Sequence, residues 1–133
     1  MPEDIRWIQR YANFEKSFLL LSDALQNENP DVVYRAGIIQ FFEMSLELAW
    51  KTMKDLLEEQ GFTAINSPRE TVKTAFQNNL VNDGHLWLQA LDDRNVTVHT
   101  YDESTAHKIE QLIRYSYYPM LSTLKDELKK HLT

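Results

Sequence analysis

VVYRAGIIQFFEMSLELAWKTMKDLLEEQ, residues 32–60, is the stretch whose reading decides the fold. Val33, Ala36, Ile39, Phe42, Leu46, Trp50, Met53 and Leu57 recur along it at three- and four-residue steps, which is the period of one buried helix face. At 1.5 Å per residue the helix is about 40 Å long. Glu43, Glu47 and Lys51 stand at i, i+4 and i+8 on another face, and the Glu47–Lys51 order favours an ion pair. A solvated charged face is the plain reading of that row, and a polar dimer or substrate face is the alternative. Gly61 follows where a left-handed C-cap residue belongs.

Upstream, Ile5, Ile8, Tyr11, Phe14, Phe18, Leu21 and Leu25 repeat the same period between Asp4 and about Asn27 and predict a first helix. Residues 27–31, Asn-Glu-Asn-Pro-Asp, stop it, and Asp31 is placed to cap the second helix. Downstream, Ser67-Pro68-Arg69-Glu70 has the form of a capping box with proline at the first helical position, so a short third helix is expected through about Asn78. Asn82-Asp83-Gly84 breaks the chain again. A fourth helix from His85 to about Asp93 turns Leu86, Trp87, Ala90 and Leu91 inward.

Thr100-Tyr101-Asp102-Glu103 is a second capping box, predicting a last helix that starts at Tyr101 and carries Ile109, Leu112, Ile113 and Tyr115. Pro119 should kink or divide that helix before it resumes through Met120, Leu121, Leu124 and Leu128. The expectation is an all-α, antiparallel up-and-down bundle of four long helical segments and one short helix, as a single domain over residues 1–133.

Composition narrows the chemistry. With three glycines, four prolines and no internal repeat, 133 residues are enough for one helical core. No cysteine is present, which excludes disulfides, thiolate metal sites and a cysteine nucleophile and is compatible with a reducing cytoplasm. The N-terminal residues Met1 to Trp7 lack a basic region followed by an apolar core, and no stretch approaches the roughly 18 apolar residues of a membrane span. A cytoplasmic protein without membrane contact is expected. The formal charge of −6 opposes tight binding of a polyanion by charge alone, so any RNA contact must be local.

The residues with the most chemistry are Arg94-Asn95-Val96-Thr97-Val98-His99-Thr100-Tyr101. In one unbroken helix Arg94 and His99 would project about 140° apart and could not share a ligand. Three consecutive β-branched residues and the capping box instead predict a junction, with Arg94 near the end of the fourth helix and His99 just before the cap of the last. A helix N-terminus there could hold a phosphate, although Asp102 and Glu103 compete for the same N–H groups. Metal-independent RNA cleavage needs a base for the 2′-OH, a cation for charge on phosphorus and an acid for the departing 5′ oxygen. One chain brings a single histidine to this stretch, so two chains meeting across a two-fold axis would supply acid and base separately. The plainer reading is a polar junction whose Arg and His pair with neighbouring carboxylates.

Residues 94–101 fit the R-x4-H-x-Y pattern of the HEPN superfamily, and the run Phe42 to Lys51 is similar to its HepT-type members and to the nucleotidyltransferase substrate-binding subunits. The five-helix pattern extends the resemblance over nearly the whole chain. It implies a homodimer encoded beside an MNT-type nucleotidyltransferase. It also implies a ribonuclease site at the dimer cleft formed by Arg94 and His99 with help from Asn95, with RNA as substrate, and Tyr101 as the position modified with AMP to silence the toxin. An older view of the family implies a noncatalytic subunit that presents substrate to the nucleotidyltransferase.

No cofactor and no metal site are expected: His85 and His107 lie on helices without a second ligand at i+4, and His131 lies in the terminal turn. Trp7, Trp50 and Trp87 are expected in core or interface packing, and Ser67 as a cap rather than a nucleophile.

Overall fold

The structure, a computed structural model, describes residues 2–97 and 102–132, without the side chains of residues 2–5, 96 and 97. Its helices are α1 (Pro2–Ala24), α2 (Val32–Glu59), α3 (Pro68–Gln77), α4 (Gly84–Thr97), α5 (Glu103–Leu112) and α6 (Tyr118–Lys129). A π-helical turn, Ile113–Tyr117, joins α5 to α6, and a 3-10 turn, Lys130–Leu132, closes the chain. No strand occurs among the described residues.

Interhelical bonds give the topology. Arg10 Nε meets Asp55 Oδ2 at 3.0 Å and Ser17 Oγ meets Ser45 Oγ at 2.8 Å, so α2 descends as α1 ascends. Tyr118 bonds Ser22 at 2.9 Å and Lys125 Nζ lies 4.0 Å from Glu15, which sets α6 antiparallel to α1 as well. Gln89 bonds Tyr117, and Leu86 and Trp87 share a cleft with Met120 and Leu124, so α4 runs against the C-terminal helix. The result is the expected up-and-down bundle, with α3 as a short crosspiece before α4.

Sequence chemistry accounts for the helix ends. Asp31 caps α2 by accepting from Tyr34 N at 2.8 Å. Gly61, at φ 101°, ends α2: its N–H reaches Glu58 O and the Phe62 N–H reaches Leu57 O, the paired bonds of a Schellman cap. Ser67 accepts from Glu70 N at 3.1 Å, while the Glu70 carboxylate turns back to the Asn66 N–H at 3.1 Å. Asn79 adopts φ 63° after α3, the left-handed role that asparagine tolerates.

The core is lined by Phe14, Leu21, Ile38, Phe42, Leu46, Met53, Leu57, Trp87, Ile113, Tyr117, Leu121 and Leu124. Three expectations are corrected. Trp7 is buried on α1 and Ile8 is 41% exposed, so the stripe begins one position earlier than its hydropathy; Ile5 is outside the described side chains. On α2 the buried line runs through Ile38, Phe42, Ser45, Ala49, Thr52 and Met53, leaving Val33 81% exposed, Ala36 at the surface and Trp50 half-buried. Small residues win that face because α1 and α2 approach closely enough for two serine hydroxyls to bond, a preference hydropathy does not register. Tyr115 is 76% exposed, because Ile109, Ile113 and Tyr117 follow one another at four-residue steps and Tyr115 falls between them on the opposite side.

Pro119 divides the last helix as expected. Its ring would clash with the carbonyl four residues back, and the chain widens into the π turn, where Tyr118 N–H bonds Ile113 O. Ahead of the turn, Glu110 is buried at 1% exposure between Arg35 (2.7 Å) and Arg114 (2.7 Å). Arg114 also donates to Leu25 O and Asn27 O, tying the α1–α2 connection to the last helix.

Candidate functional site

The last turns of α4 carry Asp92, Asp93, Arg94 and Asn95 in succession, and a rotation of about 100° per residue sends each toward a different neighbour. Asp92 accepts from Arg69 of α3 at 2.7 Å. Asp93 accepts a hydrogen bond from the Tyr117 hydroxyl, and Gln89 Nε2, one turn earlier, donates to the same phenol oxygen at 2.9 Å. Arg94 is half-buried, and its charge acts on Glu47 of α2. Asn95 is exposed. These contacts fix the rotation of α4 about its own axis and thereby the direction of Asn95.

Arg94 stands in the last turn of α4. A cation in the last turn of a helix is stabilised by the macrodipole. Partial burial pushes the Glu47 carboxyl up, but the Trp50 indole N–H at 3.1 Å, Lys51 at 3.1 Å and the charge of Arg94 together hold it below the usual carboxylate range. Glu47 therefore stays ionised near neutrality. The row Glu43, Glu47, Lys51 contains the expected ion pair, and it also supplies a counter-charge to Arg94 that spacing along α2 could not reveal.

Tyr117 lies at the other side of this end of the bundle, fully buried, its ring stacked on Phe42 at a centroid distance of 5.3 Å. Burial and the bond to Asp93 push its phenol well above the ordinary range, so it remains a proton donor. Tyr117, beside the Pro119 kink, is the packing residue its position predicts, while Gln89 and Asp93 stood out by no spacing. One signal was available, since a core tyrosine needs a hydrogen-bond partner and an acidic residue directly before Arg94 is a ready acceptor.

Of the four expected site residues, the structure places Arg94 and Asn95 next to each other at the end of α4; His99 and Tyr101 lie outside the described residues. The expected junction is revised on both sides. α4 continues through Val96 to Thr97, so β-branching weakens the helix too little to end it at Asp93. α5 starts at Glu103, not Tyr101, because Asp102 rather than Thr100 is the cap: its Oδ2 accepts from Thr105 N at 3.2 Å and from Thr105 Oγ1 at 2.9 Å. These hydrogen bonds hold the Asp102 carboxyl below its usual range. A phosphate at the N-terminus of α5 would compete with that carboxylate, and Glu103 is engaged by Arg35 at 3.1 Å. Of the expected site side chains, those described are the half-buried Arg94 guanidinium and the exposed Asn95 carboxamide. Among the described residues no group of three or more His, Asp or Glu is arranged to hold a metal ion, and no helix is long and apolar enough to cross a membrane.

Fold and helix end together define an antiparallel helical bundle with a cation and a carboxamide presented at the close of its fourth helix. The chain belongs to the family described as "Nucleotidyltransferase substrate binding protein like", which it matches over residues 9–130, within the HepT-like, HEPN-type group. Over 78 residues it is 36% identical to the probable ribonuclease HepT of Haemophilus influenzae, a match covering 53% of this chain and 51% of that protein. The match thus spans about half the length of that curated relative. The fold is similar to that of a Thermus thermophilus protein of known crystal structure, with 30% identity, a TM-score of 0.75 and coverage of 90% of this chain and 98% of that one. It is also similar to a Haemophilus influenzae protein whose structure reveals the fold of a substrate binding domain of a nucleotidyltransferase, with 25% identity, a TM-score of 0.68 and coverage of 95% and 98%.

Proposed function

We propose that the chain is a metal-independent endoribonuclease of the HepT type, acting as a homodimer and paired with an MNT-type nucleotidyltransferase in a two-gene toxin–antitoxin system. The observation that carries this reading is the end of α4, where a half-buried Arg94 stands beside an exposed Asn95 on a helix whose rotation is held by Arg69, Tyr117 and Glu47. The 36% identity to a probable ribonuclease supports it.

In this mechanism one His99 takes the proton of the RNA 2′-OH as that oxygen attacks phosphorus. The His99 of the second protomer, protonated, delivers its proton to the departing 5′ oxygen. Arg94 offsets the charge that builds on the phosphoryl oxygens, and Asn95 donates its carboxamide N–H to one of them. Neither protomer alone holds both an acid and a base. AMP placed on Tyr101, two residues from His99, introduces an anion and a bulky group that exclude an RNA phosphate by charge and by volume.

The test is RNA incubated with the purified protein in excess EDTA. Cleavage by the wild type, lost by more than a hundredfold in His99→Ala and in Arg94→Ala, is expected. Mixing wild type with excess His99→Ala, with time for subunits to exchange, should lower the activity of the wild type, because each mixed dimer keeps one histidine and lacks either the acid or the base; wild-type activity that excess variant leaves unchanged contradicts a shared site.

The second reading, a noncatalytic subunit that presents substrate to a nucleotidyltransferase, is favoured by the family's description and by the solved Haemophilus structure. It predicts a stable complex with the nucleotidyltransferase and no RNA turnover.

A further inference from the structure

A cavity of about 530 Å³ opens between the C-terminal end of α1, the turn after it, and the face where α5 passes into the π turn. That volume is within the range of about 300–1,000 Å³ usual for small-molecule sites. Its wall is rich in carboxamides, from Gln26, Asn29 and Gln111, which offer donors and acceptors without charge. The Arg114 guanidinium forms part of the floor, but it is already committed to Glu110 and to the carbonyls of Leu25 and Asn27. Glu28 stands in the wall, so the cavity holds no surplus positive charge and does not suit a phosphate or another anion.

Two tyrosines complete it. Tyr118 is fixed, stacked on Phe18 at 4.9 Å and bonded through its hydroxyl to Ser22 at 2.9 Å. Tyr115 is 76% exposed at the mouth, carried there by the π turn. An aromatic side chain left this open has a ring face available for a planar ligand, and base–aromatic stacking tolerates every base. Uncharged carboxamides beside such a ring match the polar edges of a nucleobase, as Asn and Gln do in paired contacts with adenine.

We propose that this cavity binds a neutral nucleobase, stacked on Tyr115 and hydrogen-bonded by Gln26, Asn29 and Gln111, with any attached phosphate directed out to solvent away from Glu28. The base can arrive as a free nucleoside or as part of an RNA strand. The site is separate from Arg94 and Asn95 and does not depend on cleavage.

Calorimetric titration of the full chain with adenosine, guanosine, cytidine and uridine, and with a short oligoadenylate, tests it. The expected result is saturable binding of at least one nucleoside with a dissociation constant below about 1 mM, weakened about tenfold or more in Tyr115→Ala and in Gln111→Ala. Tyr115 is exposed, so its replacement leaves the core intact, and an unchanged thermal unfolding curve verifies this. Oligoadenylate binding tighter than adenosine, and equally sensitive to Tyr115→Ala, assigns the base to an RNA strand; equal or weaker oligomer binding assigns it to a free nucleoside. No binding at about 10 mM of any nucleoside or of the oligomer, or binding that Tyr115→Ala leaves unchanged, overturns the proposal.

Discussion

Tyr117 shows how much a single hydroxyl can organise. Buried beneath Phe42, it donates to Asp93 and accepts from Gln89, and so anchors the residue next to Arg94. Tyr117→Phe keeps the stacked ring but leaves the Asp93 carboxylate short of a donor. It should destabilise the fold by about 1–2 kcal/mol, read as a lower urea midpoint at an unchanged m-value. Glu110 is the second critical residue. Burial pushes its carboxyl up, yet the bonds and charges of Arg35 and Arg114 prevail and hold it below the ordinary range. A carboxyl with a depressed folded-state pKa stabilises the fold above its unfolded value of about 4.3. That stability is lost as pH falls through the folded-state value. The melting temperature of the wild type should therefore be steady from pH 7 to 5 and decline below about pH 4. Glu110→Ala removes the shared partner of two partly buried arginines and should cost about 3 kcal/mol at pH 7, measured by chemical denaturation.

At the scale of the elements, helix ends were easier to read from the sequence than helix faces. Asp31, Gly61, Ser67 and Pro68 sit where they were expected, because capping depends on a few neighbouring residues and on backbone angles that few residue types adopt. Gly61→Ala accordingly should destabilise by about 1 kcal/mol through its left-handed conformation, although its missing Cβ has open space around it. Faces depend on the partner helix. Ser45 and Thr52 are in the core and Val33 is outside it because the approach of α1 and the point where α1 ends decide what is covered. The end of α4 was misjudged for a related reason: the bonds of Asp92 to α3 and of Asp93 to the π turn, with the charge of Arg94 acting on Glu47 of α2, support the helix past a run of β-branched residues. The cap of α5 fell to Asp102 rather than Thr100, two candidates that a local pattern ranks alike.

For the molecule as a whole, periodicity and the scarcity of glycine and proline were enough to reach a helical bundle, and the R-x4-H-x-Y pattern led to the family that residues 9–130 match. The site was legible as residue types at a spacing. Its supports were not, since Glu47 and Tyr117 are 47 and 23 positions from Arg94 and only the fold brings them to one end of α4. A net charge of −6 works against binding of a polyanion by charge alone, so the proposed RNA contact at Arg94 is local. Cleavage should therefore weaken as salt rises, but with a shallow slope corresponding to few phosphate contacts, a dependence that initial rates at about 50 and 200 mM salt would measure. The proposed function requires two copies of this chain to cut RNA with Arg94 and His99 and without a metal. It is tested by cleavage of RNA in EDTA by the wild type, by His99→Ala and Arg94→Ala, and by wild type mixed with excess His99→Ala. Activity in the wild type, its loss in each variant and its suppression when excess His99→Ala exchanges into wild-type dimers is the predicted outcome; an inactive wild type, or a His99→Ala protein as active as the wild type, would contradict it.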